Sequence, residues 1–193
     1  MAQFSLSYRK TGKNEGGYAN NPNDKGGETW RGIARTRHPE WEGWEIIDKK
    51  KLESDFPNSL DIDAFLPNML VKFYHDNFWV PISGDLIPDQ DIADRLYDIA
   101  VNSGPGTAIK FLQTSINLLN RNQKLYLDIA VDGSMGQHTI GALTSCLSVR
   151  GKDILLLDLA LEQGCNYRRI MLSDPTQEEF LLGWYGRLNI TIT

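Results

Sequence analysis

The chain has 193 residues, with 25 acidic against 20 basic side chains and a formal net charge of −5 at pH 7. That length allows one or two domains with a sizeable core, and the composition is that of a globular chain. The acidic balance argues against nonspecific nucleic-acid binding, and no apolar stretch is long enough to span a membrane.

Met1 to Leu6 show no basic segment followed by an apolar run, so no secretory signal is visible. Residues 3–15 are expected to form the first helix. At ~100° per residue, Phe4, Tyr8, Thr11 and Glu15 fall within roughly 60° of one another. Glu15 thus shares a face with apolar anchors. A lone glutamate is ordinarily a solvated residue, but a buried carboxyl without a nearby cation has a raised pKa. General acid catalysis near neutral pH needs such a shift.

Gly16 and Gly17 follow at once and are expected to end the helix in the left-handed conformation. Residues 16–34 have turn chemistry at Asn21-Pro22 and at Lys25-Gly26-Gly27, with strand-capable residues on either side. A small hairpin carrying Asp24 and Thr29 is expected. It would set Glu15 across a groove from a second carboxylate and a hydroxyl, the pairing that glycoside hydrolysis uses. Asp24 before Lys-Gly-Gly is equally a standard turn residue.

Trp41 and Trp44 have two readings, as platforms for sugar rings or as the small lobe's own core. Lys49-Lys50-Lys51 is expected to be a solvated face. Asp61 and Asp63 are too few oxygen ligands for a calcium loop; Asp61 is expected to cap the next helix. Leu66, Met69, Leu70 and Phe73 predict an amphipathic helix over 65–78. A loop over 82–90 leads to a helix marked by Ile92, Leu96, Ile99 and Ala100, expected to be central. Asp98 and Asn102 share a face on it and are candidate substrate contacts or a structural cap. Ile109, Leu112, Ile116 and Leu119 mark a helix over 105–120, with Pro105 in its first turn. A polar connection over 121–136 precedes helices at 137–147 and 152–172. Asp174-Pro175-Thr176-Gln177 starts the last helix. Cys146 and Cys165 are expected to be core thiols. His38, His75 and His138 lack metal-ligand spacing, and no cofactor or metal is expected.

Glu15-Gly16-Gly17-Tyr18, Asn21-Pro22-x-Asp24-x-Gly26-Gly27-x-Thr29 and Gly32-Ile33 resemble the signature of the glycoside hydrolase family 108 lysozymes. These are N-acetylmuramidases, also called secretion activator proteins. Phe78-Trp79, the run Asp98 to Pro105, Leu112-Gln113, Asp132-Gly133, Gly136-x-x-Thr139, Gly183-Trp184 and Arg187 are similar to later parts of that family. The resemblance implies a catalytic region over 1–91 and a peptidoglycan-binding region over 92–193; with no linker between them and the strongest apolar periodicity in the second, the two are expected to pack as one body. It implies a mainly α, lysozyme-like fold with one small β-hairpin beside the cleft. It makes Glu15 the general acid, gives Asp24 and Thr29 supporting roles, and places Tyr18, Asn20, Asp98 and Asn102 against substrate. The partner implied is the glycan strand of peptidoglycan, reached after release or export from the cytoplasm. Asn21 stands where many relatives have Asp, so a second carboxylate there is lost.

Three alternatives have different chemistry. A noncatalytic wall-binding or secretion-regulating protein would keep the cleft and cleave nothing. A lytic transglycosylase would leave a 1,6-anhydro product. A Cys-His hydrolase would need spatial pairing of side chains far apart in sequence. The net negative charge stands in tension with an anionic wall polymer.

Overall fold

The computed structural model describes residues 1–11, 16–20 and 27–188. It is mainly α with one small antiparallel sheet, and the chain divides into two compact units, Tyr8–Asp76 and Met1–Ser7 with Asn77–Thr193. The helices are α1 (Phe4–Thr11), α2 (Gly43–Lys50), α3 (Leu66–Tyr74), α4 (Gln90–Ser103), α5 (Pro105–Leu118), α6 (Gln137–Arg150), α7 (Lys152–Ser173) and α8 (Leu181–Gly186).

In the unit Tyr8–Asp76, β1 (Tyr18–Asn20), β2 (Glu28–Trp30) and β3 (Ile33–Ala34) pair in that order. Tyr18 faces Trp30 across the first pair, and Trp30 faces Ile33 across the second. The expected hairpin thus gains a third strand. The turn between β2 and β3 is Arg31-Gly32, with φ of 43° and 82°. Two positive φ values in a two-residue loop match the twist of antiparallel strands.

The expectation for Gly16 and Gly17 is corrected. Neither has a left-handed φ, and a Cβ on either would meet nothing within 4 Å. Gly17 instead continues the strand pairing, its carbonyl accepting the Arg31 N–H at 3.2 Å. The demand for glycine falls on Gly32. Gly32→Val is expected to lower stability by about 1–2 kcal/mol, since a Cβ is disfavoured there. Gly16→Ala should change it by less than about 0.5 kcal/mol. Paired urea melts will show this, and equal losses at both sites would refute it.

The core of this unit is aromatic. Trp30 and Trp41 stack with centroids 5.7 Å apart, and Trp41 meets Trp44 and Phe73 edge-on. Trp44 is 2% exposed and its indole N–H donates to the His38 carbonyl at 2.8 Å. A Cβ on Gly43 would lie 2.3 Å from the Trp41 ring, so that glycine makes room for it. Both tryptophans therefore build the core. Asp61 does not cap α3. Asp63 Oδ1 accepts the N–H groups of Phe65 and Leu66 at 2.8 and 2.9 Å, because a cap must lie within three residues of the orphan donors. Asp61 pairs with Arg31 at 2.9 Å.

The other unit is built on α4. Ile92, Ala93, Leu96, Tyr97, Ile99 and Ala100 are wholly buried, so α4 is covered on more than one face. Asp89 caps it, accepting the N–H groups of Asp91 and Ile92. Phe4 lies with its ring centroid 5.8 Å from both Trp79 and Tyr97. Ser7 donates to Asp94 at 2.6 Å. α5 and α7 pack on α4, and Pro105 stands in the first turn of α5. On α7 the buried stripe is Leu155, Leu159, Gln163 and Tyr167, while Ile154 and Leu161 are exposed. Cys165 lies on the outer face of that helix. It is exposed, against expectation, and only Cys146 is a core thiol. Among the described residues no helix is long and apolar enough to cross a membrane.

Candidate active site

Glu15 and Asp24 lie outside the described residues, as does Asn21. The sheet beside them is described in full. Thr29 sits at the middle of β2, opposite Ala19 on one side and Ala34 on the other. Its hydroxyl lies 3.4 Å from the Gly27 carbonyl. Tyr18 packs edge-on against Phe56 at 4.7 Å and donates its hydroxyl to Glu28 at 3.0 Å. Burial, then that bond to Glu28, raises the Tyr18 pKa. Asn20 is exposed at the end of β1, opposite Glu28.

Glu28 is the residue that sequence reasoning missed. It receives Lys51 at 2.6 Å, Arg35 at 3.0 Å and the Tyr18 hydroxyl. Asp48 joins the same two cations, at 2.6 Å from Arg35 and 2.8 Å from Lys51. Burial alone would raise the Glu28 pKa, but the hydrogen bonds from Lys51, Arg35 and Tyr18 outweigh it and hold the carboxyl below its ordinary 4.5. Arg35 first, then Lys51, depresses Asp48 too. Glu28 is therefore an ionised anchor, unsuited to delivering a proton near neutral pH. It ties β2, and Thr29 with it, to α2 and to Lys51 just beyond that helix. The lysine run is not a solvated face throughout: Lys51 belongs to this network, and Lys50 reaches Asp63 at 3.6 Å.

A depressed carboxyl stabilises the fold above its unfolded pKa, and the gain is lost as pH falls through the folded value. Wild type should thus exceed Glu28→Gln in Tm at pH 7, with the gap closing below about pH 4. A gap constant from pH 7 to 3 would mean the network contributes nothing through charge.

Asp98 and Asn102 belong to the other unit, on α4. Asn102 donates to the Asp98 carbonyl at 2.7 Å and to its carboxylate at 3.3 Å. Asp98 also receives Gln163 at 3.4 Å and lies 3.5 Å from the Arg187 guanidinium. The structure thus gathers Tyr18, Asn20 and Thr29 in one sheet, and Asp98 and Asn102 on one helix. Among the described residues no group of three or more His, Cys, Asp or Glu is placed to hold a metal ion.

The glycosyl hydrolase 108 family model matches residues 8–104, just over half of the chain. The chain belongs to that family. A second model, described as a predicted peptidoglycan domain, matches residues 107–189. The structure of Brucella abortus SagA is similar, with a TM-score of 0.64 and 23% identity, over 96% of this chain and 88% of that one. At that identity the likeness concerns the fold. A search of curated proteins found no match. The mainly α, lysozyme-like fold expected from the sequence is the fold observed.

Proposed function

We propose that this protein is a lysozyme-type N-acetylmuramidase. Its substrate is the glycan strand of peptidoglycan, cut between N-acetylmuramic acid and N-acetylglucosamine. Glu15 protonates the glycosidic oxygen as the C–O bond breaks. Water supplies hydroxide to the anomeric carbon and returns a proton to the site. Asp24 and Thr29 position that water or stabilise the oxocarbenium charge. Tyr18 and Asn20 flank the sugar from the sheet. Asp98 and Asn102 act as further contacts through groups left over from their own bonds. The protein meets its substrate after release or export.

The observation that carries this reading is the overlap of two things. The glycosyl hydrolase 108 match spans the whole run from Glu15 to Thr29. The strand bearing Thr29 is fastened through its neighbour Glu28 to Lys51 and Arg35, which supports a positioning role for that strand. Preorganised groups of that kind are what transition-state stabilisation needs.

Product chemistry tests it. Purified walls are digested, reduced with borohydride and separated. A muramidase leaves reduced muramic acid ends. Reduced glucosamine ends, 1,6-anhydro ends, or intact strands would each refute the reading, the last two in favour of a lytic transglycosylase or a noncatalytic binder.

A further inference from the structure

Between the 121–136 connection and α6 lies a groove of about 580 Å³, lined among others by Tyr126, Asp128, Ile129, Asp132, His138 and Ala142. Its outer wall has no helix or strand, yet it is fixed by amide side chains of α5 and of Asn120 just beyond it. Gln113 is 1% exposed, accepts the Gly133 N–H at 2.9 Å and donates to Asp132 at 2.8 Å. Asn117 holds both backbone groups of Ile129, at 2.8 and 2.9 Å. Asn120 donates to Asp128, and the Tyr126 hydroxyl donates to the Ile116 carbonyl at 2.9 Å. The groove is therefore built before any ligand arrives, which lowers the cost of binding.

The lining includes no lysine or arginine. Asp132 is answered by Gln113, the Ser134 N–H and, from farther off, Lys110. Asp128 is met by Asn120 and makes no ion pair among the described residues. Such a groove, with Asp128 and Asp132 and no lysine or arginine on its lining, suits an aliphatic chain that carries a cation. A peptidoglycan strand carries one such group, on its peptide stem.

We propose that this groove binds the peptide stem of peptidoglycan through the free side-chain amine of its diamino acid, with Asp128 as counter-charge. Tyr126 and Ile129 take the aliphatic part of the stem, and Gln137 and Ser145 hydrogen-bond its amides. The proposal rests on the reading of the chain as a peptidoglycan-acting protein.

Calorimetry on the full chain tests it, with the soluble tripeptide L-Ala-γ-D-Glu-diaminopimelate, its lysine counterpart, both peptides acetylated on the side-chain amine, and chitotriose. The free peptides should bind, more weakly as salt rises. Acetylation, or Asp128→Asn, should each weaken binding about fivefold, the upper range for an exposed charge pair. Gly141→Phe should abolish it with Tm unchanged, since a Cβ there meets nothing within 4 Å. Equal affinity for acetylated peptides, wild-type binding by Gly141→Phe, or binding of chitotriose alone would overturn the proposal. These readouts need no cleavage. A chain that binds stems but spares walls would sink the muramidase reading alone; one that cuts walls but ignores stems would sink the groove alone.

Discussion

Glu15→Gln should slow the clearing of a cell-wall suspension by about 10²–10⁴-fold, the range that general acid catalysis supplies. Gln keeps the shape of Glu and removes only the transferable proton, so Tm and circular dichroism should stay at wild-type values. In sequence Glu15 stands between α1 (Phe4–Thr11) and the strand that carries Tyr18. Glu28, the neighbouring carboxylate among the described residues, is held ionised by Lys51 and Arg35 and is no substitute donor. A Glu15→Gln protein that clears walls at the wild-type rate would end the proposed mechanism.

Cutting the chain after residue 91 should be equally severe, through folding instead of chemistry. Residues 1–7 and 77–193 form one compact unit, so the cut passes through a single core. Phe4 and Trp79 lose Tyr97, and Ser7 loses Asp94. Ile82 and Ile87 are wholly buried in the intact chain, as are Ile92, Leu96 and Ile99 across the cut. Each such side chain contributes about 1.5–3 kcal/mol when buried. Losing several exceeds the roughly 5–15 kcal/mol by which a domain is stable. In the 1–91 fragment residues 1–7 and 77–91 should therefore lose their fold, the thermal transition should be shallow beside that of the full chain, and lysis should be absent. A sharp transition with wall-clearing activity would establish it as an independent module.

The helices were legible because their apolar residues repeat at helical spacing and their caps are local. Ile92, Leu96, Ile99 and Ala100 marked α4, and Asp174 accepts the Thr176 N–H at the start of the last helical segment as its sequence implies. What escaped depended on partners far away in sequence. Glu28 is defined by Arg35, Asp48 and Lys51, and no spacing rule joins a strand residue to a helix end. The third strand has only two residues, too few for a period to show. The stripe Gln113, Asn117 and Asn120 is regular, but regularity does not say that it holds a loop. The candidate site is proposed chiefly from a motif. Of its proposed catalytic groups the described residues include Thr29, while Glu15 and Asp24 are assigned from the motif.

The guanidinium of Arg95 has a consequence for how the chain can change over generations. It donates to the carbonyls of Arg187 and Leu188 at 2.9 and 2.8 Å, and to Gln163 at 3.2 Å. Carbonyls are the same in every amino acid. The hydrogen bonds of that clasp thus make no use of the side chains at 187 and 188, which hold the segment by other means: Leu188 packs with Tyr167 and Met171, and Arg187 faces Asp98. The backbone part of that hold is carried by a side chain 92 and 93 positions earlier, and a lysine there would lack the fork that reaches both carbonyls.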